Sequence, residues 1–211
     1  MTDPSRSTIA DLSEQFGDID IYLFDQLLRG RIAPDMSVLD TGCGAGRNLR
    51  YLMRTGVQVF GVDQDPGVIA AVRLLAAKLA PHLPAENFRV EPVEAMTFVD
   101  HVADFVISSA VLHFARDDAH FWAMLRSTWR VLCPDGILFC RLASSIGSEA
   151  GVRQVNGRRF VLPDGTERFL VDEAFLLQAT EELGGELADP LKTTVVQNRR
   201  SMTTWVVRKV A

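Results

Sequence analysis

Short apolar segments alternate with amphipathic segments over the first two thirds of the chain. Five of them are predicted strands, with the sequences MSVLDTG (36–42), VQVFGVD (57–63), NFRVEP (87–92), ADFVISSAVL (103–112) and GILFCRL (136–142). The segments between them have apolar residues at helical spacing. Strands that alternate with helices of this length form βαβ units, so the pattern predicts a parallel sheet with helices on both faces. The fold class is therefore α/β.

Both ends of the chain add to this pattern. A helix is expected within residues 18–32, with Asp18 as its N-cap. Beyond Leu142 we predict a hairpin that turns at 163–165, a helix from Asp172 to about Leu183, and two final strands that close the sheet. Residues 1–17 are expected to be a flexible N-terminal segment and 18–211 a single domain.

Composition limits the kinds of ligand and location. The longest apolar runs are too short to span a membrane, and the polar N-terminus lacks a signal-peptide pattern, so a cytoplasmic location is expected. The three cysteines and four histidines show no metal-binding spacing, and no metal site is predicted. A net charge of −5 indicates neither a nucleic-acid nor a membrane partner and favours a small ligand. The oligomeric state stays open.

The first predicted strand runs directly into the segment D-x-G-x-G-x-G. It contains Asp40, Gly42, Gly44 and Gly46. Glycine permits a tight strand-to-helix turn and lets a ligand lie against the backbone. A dinucleotide fingerprint has its third glycine where Arg47 stands here. An acid before the turn suits a ligand with a positive or amine-bearing portion, and S-adenosylmethionine has both a sulfonium and an α-amino group.

Further acids follow the next two strands. Asp63 ends the second strand, 21 residues after Gly42, where nucleoside-binding folds place an acid that accepts hydrogen bonds from ribose hydroxyls. Asp65 is interpreted as a helix cap. Glu94 follows the third strand, where its carboxylate can accept from an adenine amino group with Met96 as an apolar wall. A solvent-exposed loop carboxylate is the alternative for Glu94.

Together these segments resemble the class I S-adenosylmethionine-dependent methyltransferases. The resemblance covers roughly residues 18–210 and includes DFVISSAVLHF and RVLCPDGILF, in which Asp135 replaces a usual glycine. It implies a Rossmann-like, seven-stranded, mostly parallel sheet with an antiparallel last strand. It also implies S-adenosyl-L-methionine as cofactor and S-adenosyl-L-homocysteine as product. The implied cofactor contacts are Asp40, Gly42, Cys43, Gly44, Gly46, Arg47, Asn48, Asp63, Gln64, Glu94, Ala95 and Ser108.

The segment GCGAGRN is further similar to the small tellurite-resistance-type branch of that family, which methylates small, soft acceptors. Arg47 is either a contact for the cofactor carboxylate or a residue on the exposed face of its helix. A soft acceptor such as a thiol needs no dedicated base. The motif N/D-P-P-Y/F of adenine- or amide-directed enzymes is absent from the fourth strand, which disfavours those acceptors.

Two residues are candidates for catalysis. His113 follows the fourth strand and is either a general base or a neutral residue packed at the rim of the site. Tyr22 lies in a segment that can fold over the cofactor, or it anchors its helix to the sheet.

The segment 145–160 supplies the candidate acceptor-binding residues. It contains Arg153, Arg158 and Arg159 against one acid, Glu149. This local excess of positive charge indicates a mobile lid that binds an anionic acceptor, with a solvated loop as the alternative. A nicotinamide-dependent oxidoreductase and a non-catalytic S-adenosylmethionine-binding protein remain the alternative functions.

Overall fold

A computed structural model describes residues 12–197 and 199–210. Its helices are α1 (Ile21–Leu28), α2 (Arg50–Arg54), α3 (Pro66–Leu79), α4 (Asp118–Val131) and α5 (Glu173–Glu182). Its strands are β1 (Ser37–Thr41), β2 (Gln58–Asp63), β3 (Phe88–Val90), β4 (Ala103–Ser109), β5 (Leu132–Ala143), β6 (Arg153–Asn156), β7 (Arg159–Val161), β8 (Glu167–Phe169), β9 (Gly185–Leu187), β10 (Lys192–Val196) and β11 (Arg200–Lys209).

The main sheet has the strand order β10-β11-β5-β4-β1-β2-β3. Strands β1 to β5 pair in parallel, β11 is antiparallel to β5, and β10 is antiparallel to β11. The predicted seven-stranded, mostly parallel sheet with an antiparallel last strand is therefore confirmed. The short β9 pairs with the outer side of β11 and makes the sheet eight-stranded.

Aspartate caps start the helices at the expected places, with one exception. The carboxylates of Asp65, Asp117 and Asp172 accept backbone amide hydrogens at the first turns of α3, α4 and α5. The prediction that Asp18 caps α1 is wrong, because Asp20 accepts the amide of Tyr22 at 3.0 Å and begins the helix two residues later.

Two apolar clusters fill the faces of the sheet. One is centred on Trp205 and on the stacked rings of Phe121 and Phe169, whose centroids lie 4.9 Å apart. The other packs α2 and α3 against β1 and β2. Cys43 and Cys140 are buried free thiols within these clusters, whereas Cys133 is partly exposed.

A second, three-stranded sheet follows β5. Strands β6, β7 and β8 are antiparallel, and β7 and β8 form the predicted hairpin around Pro163 to Gly165. Of the segment predicted as a mobile lid, 145–160, residues 153–156 and 159–160 are part of this sheet, and its mobility stays a prediction.

The predicted flexible segment 1–17 is described only from residue 12. Residues 12–16 are helical, and the ring of Phe16 stacks on Tyr51 with 4.5 Å between centroids. Packing on the domain therefore begins before residue 18, and residues 1–11 lie outside the described part of the chain. No helix in residues 12–197 and 199–210 has the length and apolarity needed to cross a membrane.

Candidate functional site

A cleft of about 340 Å³ opens at the carboxyl ends of the central parallel strands. Such a position is the usual ligand site of open α/β sheets. The cleft is lined by Gly42, Asp63, Gln64, Pro92, Val93, Glu94, Ala110, Val111, Phe114, Arg116, His120 and Met124. The predicted positions Gly42, Asp63, Gln64 and Glu94 are therefore brought together.

The turn after β1 is built from three glycines with positive φ. Gly42 lies against Val111, so a Cβ there would come within 2.6 Å of a valine methyl. Gly46 packs on α3, where a Cβ would meet Val72 at 2.7 Å. Gly44 has φ +52°, and no atom of the described residues lies within 4 Å of a built Cβ. Gly44 therefore keeps open space beside the backbone, whereas the other two glycines serve packing.

Asp40 is buried below this turn, at the end of β1. Only 1% of its surface is exposed, and its Oδ2 has no hydrogen-bond partner among the described residues. Burial raises the pKa of Asp40 to about 8, and the nearby carboxylates of Asp63 and Asp20 act in the same direction. Arg47 and Asn48 counteract this only in part. An unpaired buried oxygen of this kind is costly unless a ligand supplies a donor.

Asp63 connects the glycine turn to the start of α3. Its Oδ2 accepts the amide of Gly44 at 3.1 Å, and its Oδ1 accepts the amide of Asp65 at 3.0 Å. These bonds fix the carboxylate at the wall of the cleft. Each oxygen retains a lone pair for a ligand hydroxyl.

Glu94 lies on the wall formed by the segment after β3. Its Oε1 lies 3.0 Å from Nε2 of His120. Burial raises the pKa of Glu94, but hydrogen bonds from its own backbone amide and from His120 outweigh burial, so the pKa lies below its usual value. The carboxylate is therefore ionised at neutral pH and is an acceptor.

The comparisons with known proteins agree with this geometry. A family model described as "Methyltransferase domain" matches residues 39–140, from β1 into β5. A ubiquinone biosynthesis O-methyltransferase of Bradyrhizobium diazoefficiens is 30% identical over 163 residues, which are 71% of this chain and 61% of that protein. This chain is therefore similar to methyltransferases over residues 39–140, slightly less than half of its length.

Solved structures show the same fold. A 1,6-didemethyltoxoflavin-N1-methyltransferase of Burkholderia thailandensis, with its substrate and S-adenosylhomocysteine bound, has a TM-score of 0.67 at 18% identity, over 100% of this chain and 92% of that one. A methyltransferase of Methanosarcina mazei has a TM-score of 0.67 at 20% identity, over 87% and 97%. The chain spans about six tenths of the length of the Bradyrhizobium relative.

Eight of the twelve positions implied by the family resemblance lie outside the cleft lining: Asp40, Cys43, Gly44, Gly46, Arg47, Asn48, Ala95 and Ser108. Cys43 is buried, and its sulfur packs where a Cβ on Gly61 would lie. Ser108 is fully buried, and its hydroxyl has no partner among the described residues. Ala95 is exposed outside the cleft lining, one residue beyond Glu94. The side chain of Ser108 points into the core, because side chains alternate along a strand. Contact of Cys43, Ala95 and Ser108 with the cofactor stays a prediction.

Arg47 and Asn48 take part in a network centred on Asp20 that sequence reasoning missed. The buried Asp20 carboxylate accepts from the hydroxyl of Ser109 at 2.9 Å and from Nη1 of Arg141 at 3.2 Å. Its backbone amide donates to Oδ1 of Asn48 at 3.1 Å, and Arg47 donates to Ser109 at 3.2 Å. The network ties the start of α1 to the glycine turn and to the ends of β4 and β5. Its partners are 28 to 121 residues apart in sequence, so no local pattern reports it.

His113 is buried beside β5. Its Nδ1 accepts the backbone amide of Ala143 at 3.2 Å, so in the neutral ring the proton is on Nε2. Burial, together with the charges of Arg168 and Arg141, lowers the pKa of His113 to about 4. A ring with one nitrogen occupied and the other already protonated has no lone pair for a substrate proton. The geometry therefore fits the packed, neutral alternative better than a general base.

Tyr22 lies at the start of α1. Its hydroxyl contacts the hydroxyl of Thr194 on β10, and the guanidinium of Arg141 lies 5.2 Å from the centre of its ring. These contacts attach α1 to the sheet, as in the anchoring alternative.

The three arginines predicted to bind the acceptor have different surroundings. Arg153 is exposed on β6. Arg158 forms an ion pair with Asp172 at 2.9 Å and covers the ring of Phe175 at 4.0 Å. Arg159 donates to the carbonyl of Ala115 at 3.0 Å, which fastens β7 to the loop after β4 at the cleft wall. The three arginines therefore do not form one anion-binding cluster in this structure.

Proposed function

We propose that this protein transfers a methyl group from S-adenosylmethionine to a small-molecule acceptor. The observation that carries the proposal is the buried carboxyl of Asp40, whose Oδ2 has no partner among the described residues and which lies two residues before the turn that begins at Gly42. That oxygen can accept a hydrogen bond from the α-amino group of the cofactor. The resulting charge pair would offset the cost of burying the carboxylate.

Gly44 in the turn and two residues of the cleft lining, Asp63 and Glu94, fit the remaining parts of the cofactor. The open side of Gly44 can receive the cofactor against the backbone, and the oxygens of Asp63 can accept from the ribose hydroxyls. Glu94 lies further along the cleft and can accept from the adenine amino group. These assignments give each polar part of the cofactor a matching group.

The cofactor supplies an electrophilic methyl group on a sulfonium, which an acceptor lone pair displaces in line. The protein's contribution is to orient the two partners and exclude water. His113 is held neutral with its free nitrogen protonated, so it does not take the acceptor proton. This favours an acceptor that is nucleophilic without a base, such as a thiolate, a soft anion or a tertiary amine.

The relatives' names support a small acceptor: one is an O-methyltransferase of ubiquinone biosynthesis and another is a 1,6-didemethyltoxoflavin-N1-methyltransferase. The cleft of about 340 Å³ does not bear on the size of the acceptor, because the proposed cofactor would itself occupy that space. Membership of the tellurite-resistance-type branch stays a prediction, as does the cytoplasmic location.

Release of S-adenosylhomocysteine is the direct test. The purified protein is incubated with S-adenosylmethionine and a panel of thiols, selenite and tellurite, carboxylates, and primary to tertiary amines. Turnover with thiols or soft anions supports the proposal in its base-free form. Turnover only with carboxylates or hydroxyls keeps the methyltransferase and contradicts the base-free acceptor. Cofactor binding without any turnover across the panel favours the non-catalytic binding protein.

The cofactor assignment makes a first prediction. Asp63→Ala should weaken S-adenosylhomocysteine binding by about 1.5–3 kcal/mol, the scale for losing a hydrogen bond to a charged group, as measured by calorimetry. Asp65→Ala is the matched control, because it removes a neighbouring carboxylate that caps α3 and lies outside the cleft lining. Equal losses in both variants would reject the ribose assignment.

A further inference from the structure

We infer that His120 is a positioning residue that makes the cleft selective for a 6-aminopurine, by holding Glu94 as an acceptor for the exocyclic amine. The inference rests on the proposed cofactor site and adds a residue outside the motifs that predicted it. His120 lies in the first turn of α4, and its side chain is 11% exposed.

The hydrogen bonds of His120 determine which of its nitrogens carries a proton. The backbone amide of Arg116 points at Nδ1 from 3.1 Å. A backbone amide is always a donor, so Nδ1 must be the acceptor nitrogen. The proton of the neutral ring is then on Nε2, and the 3.0 Å contact to Glu94 is a hydrogen bond donated to Oε1.

The backbone around His120 fixes this arrangement. The amide of His120 donates to Oδ1 of Asp117 at 2.7 Å, which is the N-cap bond of α4. The loop amide of Arg116 and the first turn of α4 thus both hold the ring. The ring cannot turn over without losing a hydrogen bond at each end.

This fixed ring determines how Glu94 faces the cleft. The ring donates to Oε1, and the guanidinium of Arg116 lies 3.9 Å from the same oxygen. Since both contacts fall on Oε1, Oε2 keeps lone pairs for a ligand donor. His120 and Arg116 themselves line the cleft beside Glu94.

An oriented carboxylate distinguishes two purines of equal size. The 6-amino group of adenine donates to Oε2, whereas the 6-oxo group of hypoxanthine brings a second acceptor against it. A site built to bond a donor rejects the analogue that lacks it because its polar group is left unpaired. If Glu94 is free to rotate into solvent, this penalty is relieved and selectivity falls.

The test compares the affinities of S-adenosylhomocysteine and S-inosylhomocysteine by calorimetry. We expect the wild-type protein to prefer the adenine compound by about tenfold or more. His120→Leu should reduce that ratio at least about threefold, while His120→Gln, whose side-chain amide can donate to Glu94, should retain most of it. His82→Leu is the matched control, because His82 is an exposed histidine outside the cleft lining. Thermal unfolding verifies that each variant is folded.

Glu94→Ala separates this inference from the site on which it rests. Loss of selectivity in Glu94→Ala and in His120→Leu, with rescue in His120→Gln, supports the inference. Loss in Glu94→Ala with an unchanged ratio in His120→Leu overturns the role of His120 and keeps that of Glu94. An unchanged ratio in Glu94→Ala overturns both, and failure of the wild type to bind S-adenosylhomocysteine rejects the proposed function itself.

Discussion

Single residues in the turn after β1 differ in what they do for the fold and for the ligand. Gly44 and Gly56 both have positive φ, +52° and +82°, and in the described part of the chain no atom lies within 4 Å of a built Cβ on either. An added methyl group therefore costs each of them only backbone strain, about 1–2 kcal/mol. Gly44 lies in the turn after β1, whereas Gly56 follows α2 on the surface.

This pair allows strain to be separated from ligand contact. We predict that Gly44→Ala and Gly56→Ala lower the unfolding free energy by similar amounts. Gly44→Ala should also weaken S-adenosylhomocysteine binding by about tenfold or more, because its Cβ occupies the space expected for the ligand. Gly56→Ala should leave the affinity unchanged. Calorimetry of both variants checks this, and an unaltered affinity in Gly44→Ala would mean that the cofactor does not lie against the turn.

Among the elements, β7 begins at Arg159, and this arginine and the preceding Arg158 contact different parts of the fold. Arg158 stabilises the N-terminus of α5 through Asp172 and Phe175, whereas Arg159 holds the loop after β4 through the carbonyl of Ala115. We predict that Arg158→Ala lowers the thermal midpoint without changing the acceptor KM. Arg159→Ala should raise the KM about three- to tenfold. Steady-state kinetics with an acceptor from the panel and thermal unfolding check both, and equal KM effects would restore the arginine-lid hypothesis.

The elements also show which features of the fold can be predicted from the sequence. Local signals, namely apolar runs and aspartate before a helix, predict the parallel strands and the final antiparallel strand. They also predict the helix caps at Asp65, Asp117 and Asp172. No local signal predicts that Asp20, and not Asp18, caps α1. Asp20 is selected by Ser109 and Arg141, which lie 89 and 121 residues away.

The residues of the cleft also divide into those that the local sequence predicts and those that it does not. Gly42 and Asp63 lie at strand ends and Glu94 lies four residues after β3, and their spacing predicts that they meet at this edge of the sheet. His120 looks in sequence like any polar residue of an amphipathic helix, because its role depends on the loop amide of Arg116 and on Glu94, which is 26 residues earlier. Ser108 and Ser109 are equivalent in sequence, and only the register of β4 decides which one is buried in the core.

For the whole molecule, two buried groups shape the dependence of stability on pH. His113 has its pKa lowered from 6.5 to about 4, so below pH 6.5 the unfolded chain binds more protons, and stability falls as the pH decreases from 6.5 to 4. Asp40 has its pKa raised from 3.8 to about 8, so the folded state holds an extra proton between these values. Its contribution is fully present below pH 3.8 and is lost as the pH rises through 8. As the pH rises from 4 to 6.5, His113 raises the unfolding free energy while Asp40 lowers it. From pH 6.5 to 8 only the decrease due to Asp40 remains of these two effects.

We therefore predict that the ligand-free protein loses up to about 2 kcal/mol of unfolding free energy between pH 6.5 and 8, since one proton per pH unit corresponds to about 1.4 kcal/mol. Asp40→Asn should remove most of this loss, because the amide does not titrate. Saturating S-adenosylhomocysteine should remove it as well, because its ammonium group stabilises ionised Asp40 in the folded state. Denaturant unfolding at both pH values checks all three samples. A loss that persists unchanged in Asp40→Asn would assign the titration to another group and leave the buried carboxyl without its proposed link to the cofactor.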